Sequence, residues 1–241
     1  MSNFQPNLGM SGRSFDRVAD IYDSTRGGDP RGREVGSWLD GLLVGGAMVL
    51  DVGTGTGLIA AGLAELGRRV VGIDVSPAML ARAAQRLPSG VLVEGDATAL
   101  PYRTGSVAAA MAVLFFHLVA DRARVFEEIA RVLAPGGLLV VTPVQPEKPA
   151  DPIGAWDWDH GAEVRNGVPS LTGEAAAVDL RYDRVVAGPR LEATFSPIEE
   201  AERRERLWKL PAGSLSALRE LPDADVPVHR DLTQWALVLR R

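Results

Sequence analysis

Residues 49–57 read Val-Leu-Asp-Val-Gly-Thr-Gly-Thr-Gly: a short apolar strand with an acid inside it runs into a loop that has glycine at every second position. Gly53, Gly55 and Gly57 tolerate positive φ and carry no Cβ atom, so the chain can turn sharply against a ligand while a helix begins. Dinucleotide-binding loops follow Gly-x-Gly-x-x-Gly, but here the third glycine comes one residue early. The Asp51 carboxylate beneath the loop also suits an ammonium group better than a pyrophosphate. Taken alone, the loop is equally compatible with a plain strand-to-helix turn.

The residues that follow the loop alternate between helical and strand patterns. The patterns predict strands over 69–73, 91–94, 107–116 and 138–142, helices over 58–66 and 121–133, and a helix begun by Ser76 and Pro77. Further along they predict strands over 191–195 and 234–239 and helices over 198–210 and 214–221. Parallel strands that alternate with helices are typical of a doubly wound α/β sheet.

Two more acids follow strands of this predicted sheet. Asp74 ends the second strand, beside the first strand's loop, where a carboxylate can accept both hydroxyls of a ribose. Asp96 follows the third strand and can accept from an exocyclic amine, while the Ala97 amide can donate to a ring nitrogen, which is how an adenine edge is read. Each acid also has a purely structural interpretation, because Asp favours helix caps and turns.

Four motifs now stand in order along the chain: the glycine loop, Asp74 followed by Ser-Pro-x-Met-Leu, Gly-Asp-Ala at 95–97, and Leu-x-Pro-Gly-Gly at 133–137. With them, residues 49–142 resemble the class I S-adenosylmethionine-dependent methyltransferases, in a small-molecule, quinone-pathway-like branch. The resemblance implies a mostly parallel, seven-stranded Rossmann-like sheet whose last strand is antiparallel, a helical N-terminal cap, and S-adenosyl-L-methionine as the cofactor. It assigns to the cofactor Asp51, Gly53, Thr54, Gly55, Asp74, Val75, Met79, Asp96 and Ala97.

The same resemblance also implies which portion of the cofactor each of these residues contacts. The glycine loop backs the methionine portion of the cofactor, Asp51 lies near its ammonium group, Asp74 binds the ribose, and Met79 packs on the adenine ring. A methionine on an apolar helix face is usually a core residue, so that alternative stays open for Met79.

Two residues are predicted to be catalytic, on the side of the methyl acceptor. An apolar stripe at helical spacing in residues 15–22 ends at Tyr22, and in related small-molecule methyltransferases the matching tyrosine faces the active site. His117 follows the fourth strand, and an imidazole can take a proton from an attacking hydroxyl or amine. The alternatives are that Tyr22 packs in the stripe and that His117 caps a helix or bonds to backbone. Phe115 and Phe116 are predicted to form pocket wall or core.

Composition indicates one ordinary enzyme domain. The chain has 241 residues, of which 46% are apolar and 24% charged, and we divide it into an N-terminal helical cap (1–45), a cofactor-binding core (46–143), and a substrate lid with the C-terminal strands (144–241). A net charge of −5 disfavours nucleic acid as a partner. The absence of a long apolar run or a signal-peptide pattern predicts a cytoplasmic protein without membrane insertion, and a homodimer is left open.

Departures from related families narrow the predicted reaction. The fourth strand carries no Asn/Asp-Pro-Pro-Tyr element, and we find no acidic triad for a catechol-type magnesium site. The prediction is therefore metal-independent methyl transfer to an oxygen or nitrogen of a small metabolite, with carbon acceptors kept open. The first alternative is a protein that binds S-adenosylmethionine without methyl transfer, as a regulator or a rearrangement catalyst. A nicotinamide dehydrogenase is a third, which the early glycine and Gly-Asp-Ala oppose.

Residues 156–160, Trp-Asp-Trp-Asp-His, form the densest cluster of functional side chains outside these motifs. They suit a lid that stacks on a flat or sugar-like acceptor, and equally a surface turn anchored by its tryptophans, which we favour. A metal site there is the weaker interpretation, because the spacing matches no known metal-binding helix or loop.

Overall fold

The described residues form nine strands in two sheets in this computed structural model. The structure describes residues 15–16, 19–23, 27–43, 48–88, 91–144, 152, 167–190, 192–199, 201–202, 213–231 and 234–241. The strands are β1 (Val49–Val52), β2 (Val70–Asp74), β3 (Leu92–Glu94), β4 (Val107–Val113), β5 (Leu133–Val144), β6 (Arg181–Ala187), β7 (Glu192–Phe195), β8 (Val228–Asp231) and β9 (Trp235–Arg240). The main sheet has the order β3-β2-β1-β4-β5-β9-β6, and β7 pairs with β8 separately.

The direction of the strands confirms the predicted fold class. Strands β1 to β5 pair in parallel, and β9 is antiparallel to both of its neighbours, β5 and β6. Strand β6 therefore runs with the first five, and six of the seven strands share one direction. The chain reverses outward from β1 on one side and from β4 on the other, so the carboxyl ends of β1 and β4 flank the crevice in which doubly wound sheets bind ligands.

Helices cover both faces of the main sheet. They are α1 (Ala19–Tyr22), α2 (Gly28–Asp40), α3 (Leu58–Glu65), α4 (Pro77–Ala83), α5 (Arg122–Val132), α6 (Val168–Ala176) and α7 (Ser214–Arg219). One apolar core lies against α2 and α3 and contains Val49, while the other lies against α5 and α6 and contains Leu50. Adjacent residues of β1 thus enter opposite cores, as the alternation of side chains along a strand requires. No helix among the described residues is long and apolar enough to cross a membrane.

A close helix crossing fixes the N-terminal helix α2 on the core. An added Cβ at Gly62 of α3 would lie 2.4 Å from the carbonyl oxygen of Gly32, and one at Gly32 would lie 2.7 Å from that of Leu58. Only glycine at both positions lets the two backbones approach this closely. The predicted helical N-terminal region is therefore present, and α2 holds it against the face of the sheet beneath the glycine loop.

Two predicted boundaries in the core are wrong. Strand β4 ends at Val113 rather than at 116, because Leu114 adopts a left-handed φ of 53° and donates its N–H to the Thr142 carbonyl at 2.7 Å. Residues 116–118 then form a 3₁₀ helix. Strand β5 begins at Leu133 rather than at 138, since Leu133 already pairs with Val107 ahead of a bulge.

The C-terminal part matches the predictions only in part. Strands β7 and β9 and helix α7 fall on the predicted segments, while α6, β6 and β8 were not predicted. Most of the predicted helix over 198–210 and all of the Trp156 to His160 segment lie outside the described residues.

Candidate active site

The glycine loop crosses from the end of β1 onto β2. The amides of Gly53 and Thr54 both donate to the Ile73 carbonyl, at 2.9 and 3.0 Å. Thr54 then packs on Gly72, where an added Cβ would lie 2.7 Å from both Oγ1 and Cγ2 of Thr54. The absence of a side chain at Gly72 therefore turns the Thr54 hydroxyl toward β1.

Asp51 lies buried beneath this loop. Its Oδ2 accepts a hydrogen bond from Thr54 Oγ1 at 2.7 Å, and only 2% of the residue is exposed. Burial raises the pKa of the Asp51 carboxyl to about 7; the Thr54 hydrogen bond opposes this, and the nearby Asp74 charge adds to it. A carboxyl poised in this way gains from a cationic ligand, which would favour its ionised form.

Asp74, at the end of β2, is joined to the same loop. Its Oδ2 accepts from the Gly55 amide at 2.8 Å, and its Oδ1 accepts from the Ser76 amide at 2.9 Å. Burial raises the pKa of Asp74, while these two amides and that of Val75 lower it. A carboxylate offers roughly four lone-pair positions, so Asp74 keeps capacity for a hydroxyl donor beyond these amides. The site residues Asp51, Thr54, Gly55, Asp74 and Val75 are thus brought together.

Two glycines of the loop, Gly53 and Gly55, differ in what surrounds the position that a Cβ atom would occupy. At Gly53, with φ 74°, an added Cβ would lie 2.3 Å from Phe115 Cδ2, because the Phe115 ring rests directly on the loop. At Gly55, with φ 55°, no atom of the described residues lies within 4 Å of that position. The loop therefore has an aromatic wall on one side and open space beside Gly55, which fits a ligand that lies along its backbone.

Phe115 and Phe116, which the sequence could not tell apart, have different environments. Phe116 is fully buried and stacks on Phe126, with ring centroids 4.4 Å apart. Phe115 is half-buried and meets the edge of Phe116 at 5.5 Å. Phe116 is therefore a core residue, and Phe115 is the one that borders the loop.

Asp96 and Ala97 lie at the end of the neighbouring strand β3. The Gly95 amide donates to the Asp74 carbonyl at 3.0 Å, which ties this turn to the end of β2. Asp96 is exposed, and its Oδ1 accepts from both the amide and the hydroxyl of Thr98, each at 2.8 Å. Asp96 therefore does cap a short 3₁₀ helix over 97–99, and this bond holds the carboxylate beside the Ala97 amide.

Met79 and Tyr22 meet in a small apolar cluster. Met79 is 3% exposed and is buried with Phe15 and Ala19, and Tyr22 packs against this group. The Tyr22 ring meets Phe15 edge-on at 5.9 Å. Met79 thus lies in a buried apolar cluster at the contact between α1 and α4, and Tyr22 packs against that cluster while it stays half-buried.

His117 lies in the 3₁₀ helix after β4 and is half-buried. Its neighbour Leu118 packs against the cluster that contains Met79. The loop after β4 and the N-terminal segment therefore meet at one place, which brings the two residues predicted to be catalytic, Tyr22 and His117, to the same part of the sheet edge.

Sequence reasoning missed a row of acids that fastens the N-terminal segment to this edge. Asp23 accepts from Thr56 Oγ1 at 2.5 Å and pairs with Arg86 at 2.7 Å, and Arg86 also donates to the Thr56 carbonyl at 3.2 Å. Asp20 pairs with Arg82 in the same way. The available signal was the spacing of Asp16, Asp20 and Asp23, which places three acids on one helix face, opposite two arginines four residues apart.

Along adjacent strands the arrangement sets a buried carboxyl at Asp51, a carboxylate bonded to the loop amides at Asp74, and an exposed carboxylate at Asp96. Within the described residues no group of three potential metal ligands comes together. The set therefore fits S-adenosyl-L-methionine, which carries an ammonium group, a ribose and an adenine.

Comparison with known proteins agrees with this geometry. Residues 50–141 match a family profile described as a methyltransferase domain. The demethylmenaquinone methyltransferase of Thermus thermophilus is 38% identical over 131 residues, covering 52% of this chain and 58% of that protein. The chain is thus similar, over this central segment, to the class I S-adenosylmethionine-dependent methyltransferases. It spans about half the length of several curated methyltransferases that it matches, such as an uncharacterized one from Mycobacterium bovis, at 50%.

Solved structures show the same methyltransferase fold across nearly the whole chain. The cyclase SpnF superposes with a TM-score of 0.67 at 22% identity, covering 98% of this chain and 97% of that one. An S-adenosylmethionine-dependent methyltransferase from Thermotoga maritima superposes with a TM-score of 0.60 at 18% identity, covering 95% and 99%. At these identities the likeness concerns the fold alone.

Proposed function

We propose that this protein transfers the methyl group of S-adenosyl-L-methionine to an oxygen or nitrogen atom of a small-molecule metabolite, without a metal ion. The observation that carries the proposal is the meeting of Asp51 and Asp74 at the glycine loop, where no side chain of the described residues fills the position beside Gly55. A small-molecule acceptor of the quinone-pathway kind is supported by the demethylmenaquinone methyltransferases among the relatives. We place the reaction in the cytoplasm, with neither nucleic acid nor membrane insertion involved.

In this proposal each cofactor group has a partner in the chain. Asp51 pairs with the ammonium group, Asp74 accepts the two ribose hydroxyls, and Asp96 with the Ala97 amide reads the adenine edge. Gly53 and Gly55 line the methionine portion, with Thr54 and Val75 holding the two acids in place. Met79 supports the site from beneath, through the N-terminal cluster.

When bound, S-adenosyl-L-methionine supplies a methyl group on a sulfonium centre, which is already an activated electrophile. The chain then has to align the acceptor, exclude water and, for a hydroxyl or amine, remove a proton. We assign the proton to His117 and the orientation of the acceptor to Tyr22, with Phe115 as the aromatic wall beside the loop. The N-terminal segment, fastened by Asp20 and Asp23, is the part that excludes water.

The first experiment is calorimetric titration with S-adenosylhomocysteine, with NADH as the control. We expect micromolar binding of the first and none of the second, and the reverse result would turn the assignment toward a dehydrogenase. A panel of hydroxyl, amine and quinol acceptors then tests transfer by the formation of S-adenosylhomocysteine from S-adenosyl-L-methionine. Binding without turnover on any acceptor would favour a protein that holds the cofactor without methyl transfer.

A further inference from the structure

A buried carboxylate lies on α5, away from the residues assigned to the cofactor. Glu128 is 4% exposed, and both of its oxygens are fully engaged. Oε2 accepts from the Leu100 amide at 2.8 Å and from the Arg131 guanidinium at 2.7 Å, while Oε1 accepts from Arg131 at 2.8 Å and from Arg124 at 3.2 Å. The two arginines lower the pKa of Glu128, so the group stays ionised.

The two arginines also bond to the backbone of residues 98–102, the segment that contains Leu100. Arg131 donates to the carbonyl of Leu100 at 2.9 Å and to that of Tyr102 at 2.8 Å, and Arg124 donates to the carbonyl of Thr98 at 3.1 Å. Glu128 holds the Leu100 amide. Three side chains of one helix therefore fix four backbone groups within residues 98–102, and we call Arg124, Glu128 and Arg131 the α5 triad.

The segment held by the α5 triad is the continuation of the turn that carries Asp96 and Ala97. Asp96 bonds to Thr98 through its carboxylate, and its carbonyl accepts from the Ala99 amide at 3.0 Å. On its other side the turn is tied to β2 through Gly95. The positions of the Asp96 carboxylate and the Ala97 amide are therefore set between β2 and the α5 triad.

The chemistry of Glu128 suits positioning better than stability alone. A buried ion pair contributes little net stability relative to apolar residues of the same shape, whereas a buried, fully bonded network fixes one geometry. A loop that must present an acceptor and a donor at the spacing of an adenine edge needs such a fixed geometry, because small misplacements of binding groups cost large factors in affinity.

We propose that Glu128 is a positioning residue that sets the geometry of Asp96 and Ala97, and so the selectivity of the site for adenine. The inference rests on the proposed function. Hypoxanthine presents a carbonyl where adenine presents an amine, and a carboxylate that expects a donor rejects it. Selectivity for adenine over hypoxanthine therefore reports the geometry of this turn, whereas a general loss of folded protein would weaken both ligands equally.

The test compares S-adenosylhomocysteine with S-inosylhomocysteine by calorimetry on the wild-type protein, Glu128→Gln and Glu127→Gln. Glu127 is the matched control: it is adjacent, its side chain is half exposed, and it pairs with Arg124 at 2.8 Å without contacting the loop backbone. We expect Glu128→Gln to weaken S-adenosylhomocysteine about tenfold and to reduce the adenine preference by a similar factor, with Glu127→Gln unchanged. Arg131→Lys carries the same expectation if Glu128→Gln does not fold.

The outcomes separate the two proposals. Wild-type protein that binds neither ligand overturns the proposed function, and this inference with it. Wild-type protein that prefers S-adenosylhomocysteine, with the same preference in a folded Glu128→Gln or Arg131→Lys variant, overturns the positioning part alone. An equal loss of preference in Glu127→Gln also overturns it, because that variant leaves the contacts to Leu100 in place.

Discussion

Replacing Asp51 with asparagine tests the cofactor assignment, because it should change the number of protons that the protein releases when S-adenosylhomocysteine binds. The Asp51 carboxyl has a pKa of about 7, so at neutral pH about half of the molecules hold it protonated. An ammonium group beside it would favour the ionised form and expel the proton. Binding of S-adenosylhomocysteine should therefore release protons, and the amount should follow the titration of this single group.

The size of the effect follows from the pKa. For complete ionisation in the complex, release amounts to about 0.9 proton at pH 6, about 0.5 at pH 7 and about 0.1 at pH 8. The affinity should accordingly rise about tenfold between pH 6 and pH 8. In Asp51→Asn the amide oxygen still accepts from Thr54, so the fold is kept, but both the proton release and the pH dependence should vanish.

The raised pKa of Asp51 also determines whether the free energy of unfolding rises or falls with pH. The folded-state pKa is raised, so the folded protein keeps a proton that the unfolded chain loses above about pH 4. The free energy of unfolding therefore falls between about pH 4 and pH 7 through this group, by up to about 4 kcal/mol, and is level above. Asp51→Asn removes this decline and should be more stable than wild type at pH 8.

The assay is calorimetry at pH 6, 7 and 8 in two buffers of different ionisation enthalpy, which gives the number of protons released. Other groups that titrate in this range are common to both proteins and cancel in the difference. Proton release that is equal in wild type and Asp51→Asn would refute the placement of the ammonium group beside Asp51. Tight, pH-independent binding to wild type would refute it as well.

Five further substitutions, at four positions, test the loop and its cover. Gly53→Ala should destabilise the fold by about 1–3 kcal/mol, because it adds a methyl group 2.3 Å from Phe115 at φ 74°. Gly55→Ala adds a methyl group that meets no described atom, so it should lower the melting temperature less. It should instead block the binding of S-adenosylhomocysteine. Arg86→Met should weaken that ligand several-fold and reduce the salt dependence of its affinity, measured between low and high salt, since it removes the ion pair to the N-terminal segment. Met79→Ala should cost about 2–5 kcal/mol in chemical denaturation and Met79→Leu under about 1.5, and equal costs would argue against a packed core position.

Local patterns predicted most of the sheet because several of its core elements begin or end at a recognisable signal. The glycine loop after β1, the Ser76 cap after β2 and the Asp121 cap of α5 are all where the sequence places them. The end of β4 was mistaken because the chain turns at Leu114, a residue type that rarely adopts positive φ and so gives no turn signal. Edge strand β6 was missed because four of its seven residues are exposed and the other three only half-buried, so it shows no regular alternation.

The sequence indicated the site residues that lie on or just after the strands. It did not indicate the contacts between residues that are far apart in the sequence. Asp51, Asp74 and Asp96 follow from their strands alone. The contacts of Asp16 with Ser76 and of Glu128 with Leu100 join residues 60 and 28 positions apart, and no local pattern specifies such partners. The buried contact of Met79 with Phe15 and Ala19 is likewise one that its own motif does not specify.

The electrostatics of the sheet edge connect stability with function. Burial raises the pKa of both Asp51 and Asp74, the Asp74 charge adds to the effect at Asp51, and the Asp16 charge adds to it at Asp74, so ionising these acids costs free energy in the free protein. Sequences keep such unfavourable groups where a ligand relieves them. A ligand with an ammonium group and two hydroxyls relieves both acids at once, and its binding should raise the melting temperature more at pH 8, where Asp51 is ionised, than at pH 6. This pH dependence is the property that a merely structural pair of carboxyls would not have.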